Sequence, residues 1–199
     1  MAVPDEPDFA AILARVARAL NGGQIPFMVI GGQAVLVHGE PRLTQDIDLT
    51  VGISIHRLAD VLAACDQASL SSLPDDVERF VHETFVLPVA DRATGTRVDL
   101  IFSETPYEAA AIQRADVIEV AGAAVPFATA EDLLLHKLFA GRPRDIEDAE
   151  GIVRRKGGDL DWSYVSTWAE AFSEVPGREE MPAQVARLRR RRRGVRPGA

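Results

Sequence analysis

The sequence predicts an α+β protein: an N-terminal core of short strands and helices, followed by a C-terminal helical subdomain. Three observations carry this. The strand-like segments cluster before Phe127 and the helices after it. The chain has 199 residues, 47% hydrophobic and 26% charged, enough for one ordinary globular domain or a domain with a small appendage. The acidic and basic residues are also unevenly spread, which sets off the end of the chain. The expected boundaries are 1–128 for the core, 129–186 for the helical subdomain and 187–199 for an Arg-rich tail.

The elements follow in order. "DFAAILARVARALN" has apolar residues at helical spacing and is stopped by Asn21-Gly22-Gly23, so Asp8 to Leu20 reads as an amphipathic helix. "IPFMVI" reads as a buried strand ending at Gly31, "QAVLVHG" as a short helix with its first turn at Gly32, and "DIDLTV" as the next strand. "SIHRLADVLAACDQ" is helical, with Ser54 as N-cap. "HETFVLPVAD" and "TRVDLIF" form a hairpin around "RATG". "TPYEAAAIQRA" is helical, "VIEVAGAAVPFA" is a second hairpin turning at Gly122, and "TAEDLLLHKLFA" is a helix opened by Thr129, with Asp132 three residues on. After Gly141 come "PRDIEDAEGIVRRK", "DWSYVSTWAEAF" and the Arg-rich end, with Trp162, Tyr164 and Trp168 expected to form the small core of these helices.

Composition excludes several classes. Cys65 is the only cysteine, so no internal disulfide or Cys-based metal site can form, and the four histidines have no paired spacing for zinc. No apolar run approaches the roughly 18 residues that cross a bilayer, and "MAVPDEPDFA" lacks a leader pattern, so a cytoplasmic, membrane-free protein is expected. Seven of the 22 basic residues are Arg187, Arg189 to Arg193 and Arg196, which leaves 15 basic against 30 acidic residues before them. Such an acidic body is not a general nucleic-acid-coating surface. The tail has two readings: a basic arm that touches RNA, or a solvated end lying on the acidic body.

The chemistry is concentrated between Phe27 and Val51. Side chains alternate faces along a strand, so Asp46 and Asp48 point together while Ile47 and Leu49 enter the core. Adjacent carboxylates repel unless a cation is shared, and Mg²⁺ or Mn²⁺ suits hard oxygen ligands combined with substrate phosphates. In "TRVDLIF" the same alternation sets Asp99 opposite to Val98 and Leu100, so a neighbouring strand offers a third carboxylate for a two-metal phosphoryl-transfer site. Upstream, Gly31-Gly32 joins a strand to a helix N-terminus, where backbone N–H groups can approach an NTP triphosphate closely. Thirteen residues separate Gly32 from Asp46.

This ordered pattern resembles the DNA polymerase β-like nucleotidyltransferase superfamily, whose signature is an apolar residue, Gly-Gly or Gly-Ser, a spacer, D-x-D and a third Asp on a later strand. Within it, "GGQAVLVHGEPRLTQDIDLTV" is similar to the AbiEii/AbiGii-type toxins and their MenT relatives, in which GG-x-A precedes R-x-T-x-D-x-D. Arg42, Thr44, Asp46 and Asp48 match that run position by position. "LLLHKLFAGRPRDIEDAEGIV" resembles the group's downstream segment, with Lys137, Arg144, Asp145 and Asp148 the nearest matches. "GGQA" departs from the G-S-x-A-R-G of the small antitoxin-type enzymes.

The resemblance implies a nucleotidyltransferase fold, with a small mixed sheet flanked by helices, and transfer of a nucleoside monophosphate from an NTP to an acceptor hydroxyl. The implied acceptor is tRNA, and the implied role that of a toxin with a cognate antitoxin. Asp46, Asp48 and Asp99 are the expected metal ligands and catalytic residues. Gly31, Gly32, Arg42, Thr44 and Lys137 are the expected nucleotide-binding residues, Lys137 serving catalysis as well. Each has a plainer alternative: Lys137 snorkelling to solvent, Arg42 anchoring the turn, and Asp145 and Asp148 as surface charges paired with Arg144 or Arg142. The alternative functions are transfer to a small-molecule acceptor such as an aminoglycoside, and a catalytically silent nucleotide-binding or interaction module.

Overall fold

The computed structural model describes the backbone of residues 8–194 and the side chains of 8–191. Residues 1–7, in the N-terminal stretch read above as lacking a leader pattern, and the side chains of Arg192, Arg193 and Arg196 lie outside the described residues. The chain divides into two units, one formed by residues up to 33 together with 43–127, the other by 34–42 together with the residues from 128 onward.

The first unit holds a seven-stranded mixed sheet. Its strands are β1 (Phe27–Ile30), β2 (Asp46–Val51), β3 (Leu70–Ser72), β4 (Val86–Asp91), β5 (Arg97–Phe102), β6 (Asp116–Val120) and β7 (Ala123–Phe127), in the order β3-β4-β5-β2-β1-β7-β6. β2 runs antiparallel to β1 and parallel to β5, and β1 runs parallel to β7. Both expected hairpins form: β4 with β5 and β6 with β7. The central strands are buried through Met28, Val29, Ile47, Leu49, Val98 and Leu100. Helix α1 (Phe9–Gly22) is capped by the Asp8 carboxylate, which accepts from Ala11 N at 3.0 Å, and buries Ile12, Leu13, Val16 and Leu20. It packs on β6, β7 and α3 (Leu58–Gln67). Before α3 comes a short 3₁₀ turn at Ile55–Arg57, with Ser54 as its cap. α2 (Gly31–His38) and α5 (Pro106–Arg114) follow the sequence reading.

The region after α3 differs from that reading. His82, Glu83 and Thr84, assigned above to a strand, close helix α4 (Val77–Thr84). Asp76 caps this helix by accepting from Arg79 N at 3.1 Å, and Phe85 ends it in the left-handed conformation, so β4 starts only at Val86.

The second unit is helical: α6 (Ala130–Ala140), α7 (Pro143–Lys156), α8 (Trp162–Phe172) and α9 (Met181–Gly194). α6 packs against the other three. Thr129 caps α6, accepting from Asp132 N at 3.2 Å, and Gly141 ends it at φ +69°. Trp162 is buried and donates its indole N–H to Gly157 O at 3.2 Å, whereas Tyr164 and Trp168 are half-buried. The Arg-rich segment continues a helix that docks through Met181, Val185 and Leu188, spaced for one face, with Arg187, Arg189 and Arg190 exposed on the other. Among the described residues no helix is long and apolar enough to cross a membrane.

Candidate active site

β2 and β5 are parallel neighbours in a register that sets Asp46 opposite Arg97 and Asp48 opposite Asp99. Residues paired this way share a sheet face, as do residues two apart on one strand. Asp46, Asp48, Arg97 and Asp99 therefore form a two-by-two array on one face, while Ile47, Leu49, Val98 and Leu100 fill the core behind it. The three aspartates expected as metal ligands stand on adjacent strands in the expected order. Thr44 supports the array by donating its hydroxyl to Asp46 Oδ1 at 3.1 Å.

The two glycines are packed against the same array. Gly31 lies opposite the Asp48 side chain at φ +60°, and a Cβ there would overlap the carboxylate. A Cβ on Gly32 would overlap the Thr44 hydroxyl. Only glycine permits both the left-handed turn at Gly31 and this close approach. The N-terminus of α2 thus begins against the Asp48 side chain, where its backbone N–H groups can meet an anion.

Arg97 was not singled out from the sequence. Its Nε donates to Asp99 Oδ1 at 2.9 Å and to Oδ2 at 3.1 Å. The Asp99 hydrogen bond and charge, followed by the charges of Asp46 and Asp48, push the guanidinium further above its ordinary range despite some desolvation. Among the described residues, no three His, Cys, Asp or Glu side chains converge in a geometry that could hold a metal ion. The array still fits a hard divalent ion in donor type and backbone placement: three carboxylates share one face, and the charge they now share is a guanidinium.

In the helical unit, Lys137, Asp145, Asp148 and Arg42 form a second charged cluster. Lys137 Nζ lies 3.0 Å from Asp145 Oδ1 and 3.0 Å from Asp148 Oδ2. Arg42 donates from Nε and Nη2 to the two Asp148 oxygens at 2.9 and 3.0 Å. Asp145 and Asp148 are thus buried, not surface charges, and their partners are Lys137 and Arg42, not Arg144 or Arg142. Nor does Lys137 snorkel to solvent, because it is 7% exposed.

Burial pushes the Asp148 carboxyl up, but the hydrogen bonds and charges of Arg42 and Lys137 outweigh this and hold it below the usual range. A carboxyl so depressed contributes stability that is present above its unfolded pKa of about 3.9 and lost as pH falls through the folded value. Acid titration followed by circular dichroism is therefore expected to show stability falling below about pH 4. The fall should be shallower in Asp148→Asn.

The family model for "Nucleotidyl transferase AbiEii toxin, Type IV TA system" matches residues 11–194. The chain belongs to the AbiEii nucleotidyltransferase toxin family. Its seven-stranded mixed fold is similar to the crystal structure of an antigenic nucleotidyltransferase-like protein from Paracoccidioides brasiliensis, with 17% identity over 92% of this chain and 95% of that one, and a TM-score of 0.54. Lower likenesses join this AbiEii-family chain to two others. One is ANT(2'')-Ia in complex with adenylyl-2''-tobramycin, at 16% identity, 92% and 97% coverage and a TM-score of 0.49. The other is JHP933 from Helicobacter pylori, at 13% identity, 94% and 95% coverage and a TM-score of 0.47. No curated protein matches the chain. This AbiEii-family chain is a nucleotidyltransferase.

Proposed function

We propose that the protein transfers a nucleoside monophosphate from an NTP to an acceptor hydroxyl in a metal-dependent reaction, with tRNA as the acceptor, as a toxin countered by a cognate antitoxin. The observation that supports the chemistry is the in-register array of Asp46, Asp48 and Asp99 packed against Gly31. When bound, Mg²⁺ or Mn²⁺ would neutralise the phosphates and polarise them for displacement. Asp46 and Asp48 are assigned as its ligands from β2, and Asp99 as the ligand from β5.

The remaining steps belong to the chain. Gly31 and Gly32 leave the backbone N–H groups at the start of α2 open to the β- and γ-phosphates. Thr44 keeps Asp46 oriented through its 3.1 Å hydrogen bond. The Asp99 carboxylate takes the proton of the acceptor hydroxyl as its oxygen bonds the α-phosphorus. The bond from that phosphorus to the bridging oxygen breaks, and pyrophosphate leaves with the electron pair. Lys137 and Arg42 are assigned to holding the buried carboxylates of the helical unit.

RNA as acceptor is supported by the exposed Arg187, Arg189 and Arg190 on α9. Replacing these three by Gln, which spares the docked Leu188, is expected to weaken tRNA binding and to flatten its salt dependence by up to about three phosphate contacts, with NTP affinity unchanged. Filter binding at two salt concentrations measures both. The function itself is tested by incubating the protein with α-labelled NTPs and a tRNA pool, with Mg²⁺ or EDTA. Label that enters nuclease-sensitive material only with the cation supports the reading. Label in a nuclease-resistant small product would instead identify a small-molecule acceptor.

A further inference from the structure

The array carries three carboxylates and one guanidinium, and the guanidinium is bonded to one of those carboxylates. Arg97 stands opposite Asp46 in register and two residues before Asp99, on the same sheet face. Its Nε–H bridges both Asp99 oxygens, at 2.9 and 3.1 Å. An oxygen so engaged has part of its lone-pair density committed to the guanidinium, and a divalent ion beside a guanidinium is repelled in proportion to their proximity.

We propose that Arg97 is a positioning residue that acts as an internal counter-ion: it holds Asp99 in the metal-free protein and must release it when a divalent cation arrives. The inference rests on the reading of Asp46, Asp48 and Asp99 as metal ligands. Metal binding and displacement of Arg97 are then one competition, in which the protein exchanges a +1 charge for a +2 charge on the same carboxylates.

Two further observations fit this exchange. The Arg97 side chain is 55% exposed while Asp99 is 17% exposed, so the guanidinium can leave towards solvent without disturbing the core. Arg97 also lines an open groove of about 490 Å³ between α4 and β4, whose other charged residues are Asp75, Asp76, Glu83 and Arg79, the last paired with Glu83 at 2.9 Å. Three carboxylates against the single cation Arg79 leave the groove net acidic, and Asp75 and Asp76 can receive the released guanidinium.

The competition is read without turnover by titrating Mn²⁺ into nucleotide-free protein and following the free-ion signal by electron paramagnetic resonance. Arg97→Gln is expected to bind Mn²⁺ about tenfold more tightly than the parent, a figure set by removing one partly screened charge next to the ion. Arg92→Gln, which removes an exposed arginine paired with Asp66 in the same unit, is the control for general charge and should change affinity less than about twofold. Mn²⁺ should also raise the melting temperature of Arg97→Gln more than that of the parent. If the parent binds Mn²⁺ through Asp48 and Arg97→Gln binds it equally or more weakly, the counter-ion role is overturned and the metal site stands. An equal gain in Arg92→Gln would overturn it too. If neither the parent nor Arg97→Gln binds Mn²⁺, the metal-site reading falls and the counter-ion role with it.

Discussion

Replacing Asp48 by Asn is expected to lower kcat/KM for nucleotidyl transfer by at least about a thousandfold while leaving the melting temperature within a few degrees of the parent. Losing a metal ligand removes several kcal/mol of charge stabilisation from the transition state, and each 1.36 kcal/mol is about tenfold in rate. Stability should barely change for two reasons. Asn has nearly the same volume, so it still fits against Gly31. It also removes one of three like charges on one sheet face, which relieves repulsion in the metal-free protein. A fall of ten degrees or more in differential scanning calorimetry would mark Asp48 as a structural residue instead.

Lys137→Met should behave in the opposite way. Lys137 holds Asp145 and Asp148 at 3.0 Å each inside the helical unit, and Asp145 Oδ2 is buried with no hydrogen-bond partner among the described residues. Removing one partner of a buried pair leaves an uncompensated charge and costs about 3–5 kcal/mol. For a chain of this size that corresponds to a fall of roughly 6–20 °C in melting temperature. Full stability with lost transfer would contradict the structural assignment and return Lys137 to the triphosphate.

The site was legible in the sequence as far as local periodicity reaches. Alternation in "DIDLTV" and "TRVDLIF" places Asp46, Asp48 and Asp99 on their faces, and the glycine pair marks the turn into α2. The same rule of two also places Arg97 beside Asp99, but alternation alone does not distinguish an arginine that bonds a neighbouring carboxylate from one that faces solvent. Partners across long separations stayed hidden. Arg42 and Asp148 are 106 residues apart, and no pattern in either segment indicates the other. Asp145 and Asp148 at helical spacing look like surface charges until α6 is packed against α7. β3 has only three residues, too few for a period, and α4 owes its start to the Asp76 cap, not to a long apolar stripe.

Nucleotidyl transfer through the α-phosphorus is tested most directly by the position of the label in the product. The protein is incubated with Mg²⁺ and an acceptor pool of tRNA, total RNA and small hydroxyl compounds, with the NTP labelled at either the α- or the γ-phosphate. Nucleotidyl transfer puts α-label in the product and releases γ-label as pyrophosphate, with both signals lost in Asp48→Asn. Label from the γ-position in the product, or no transfer of either label to any acceptor, would contradict it.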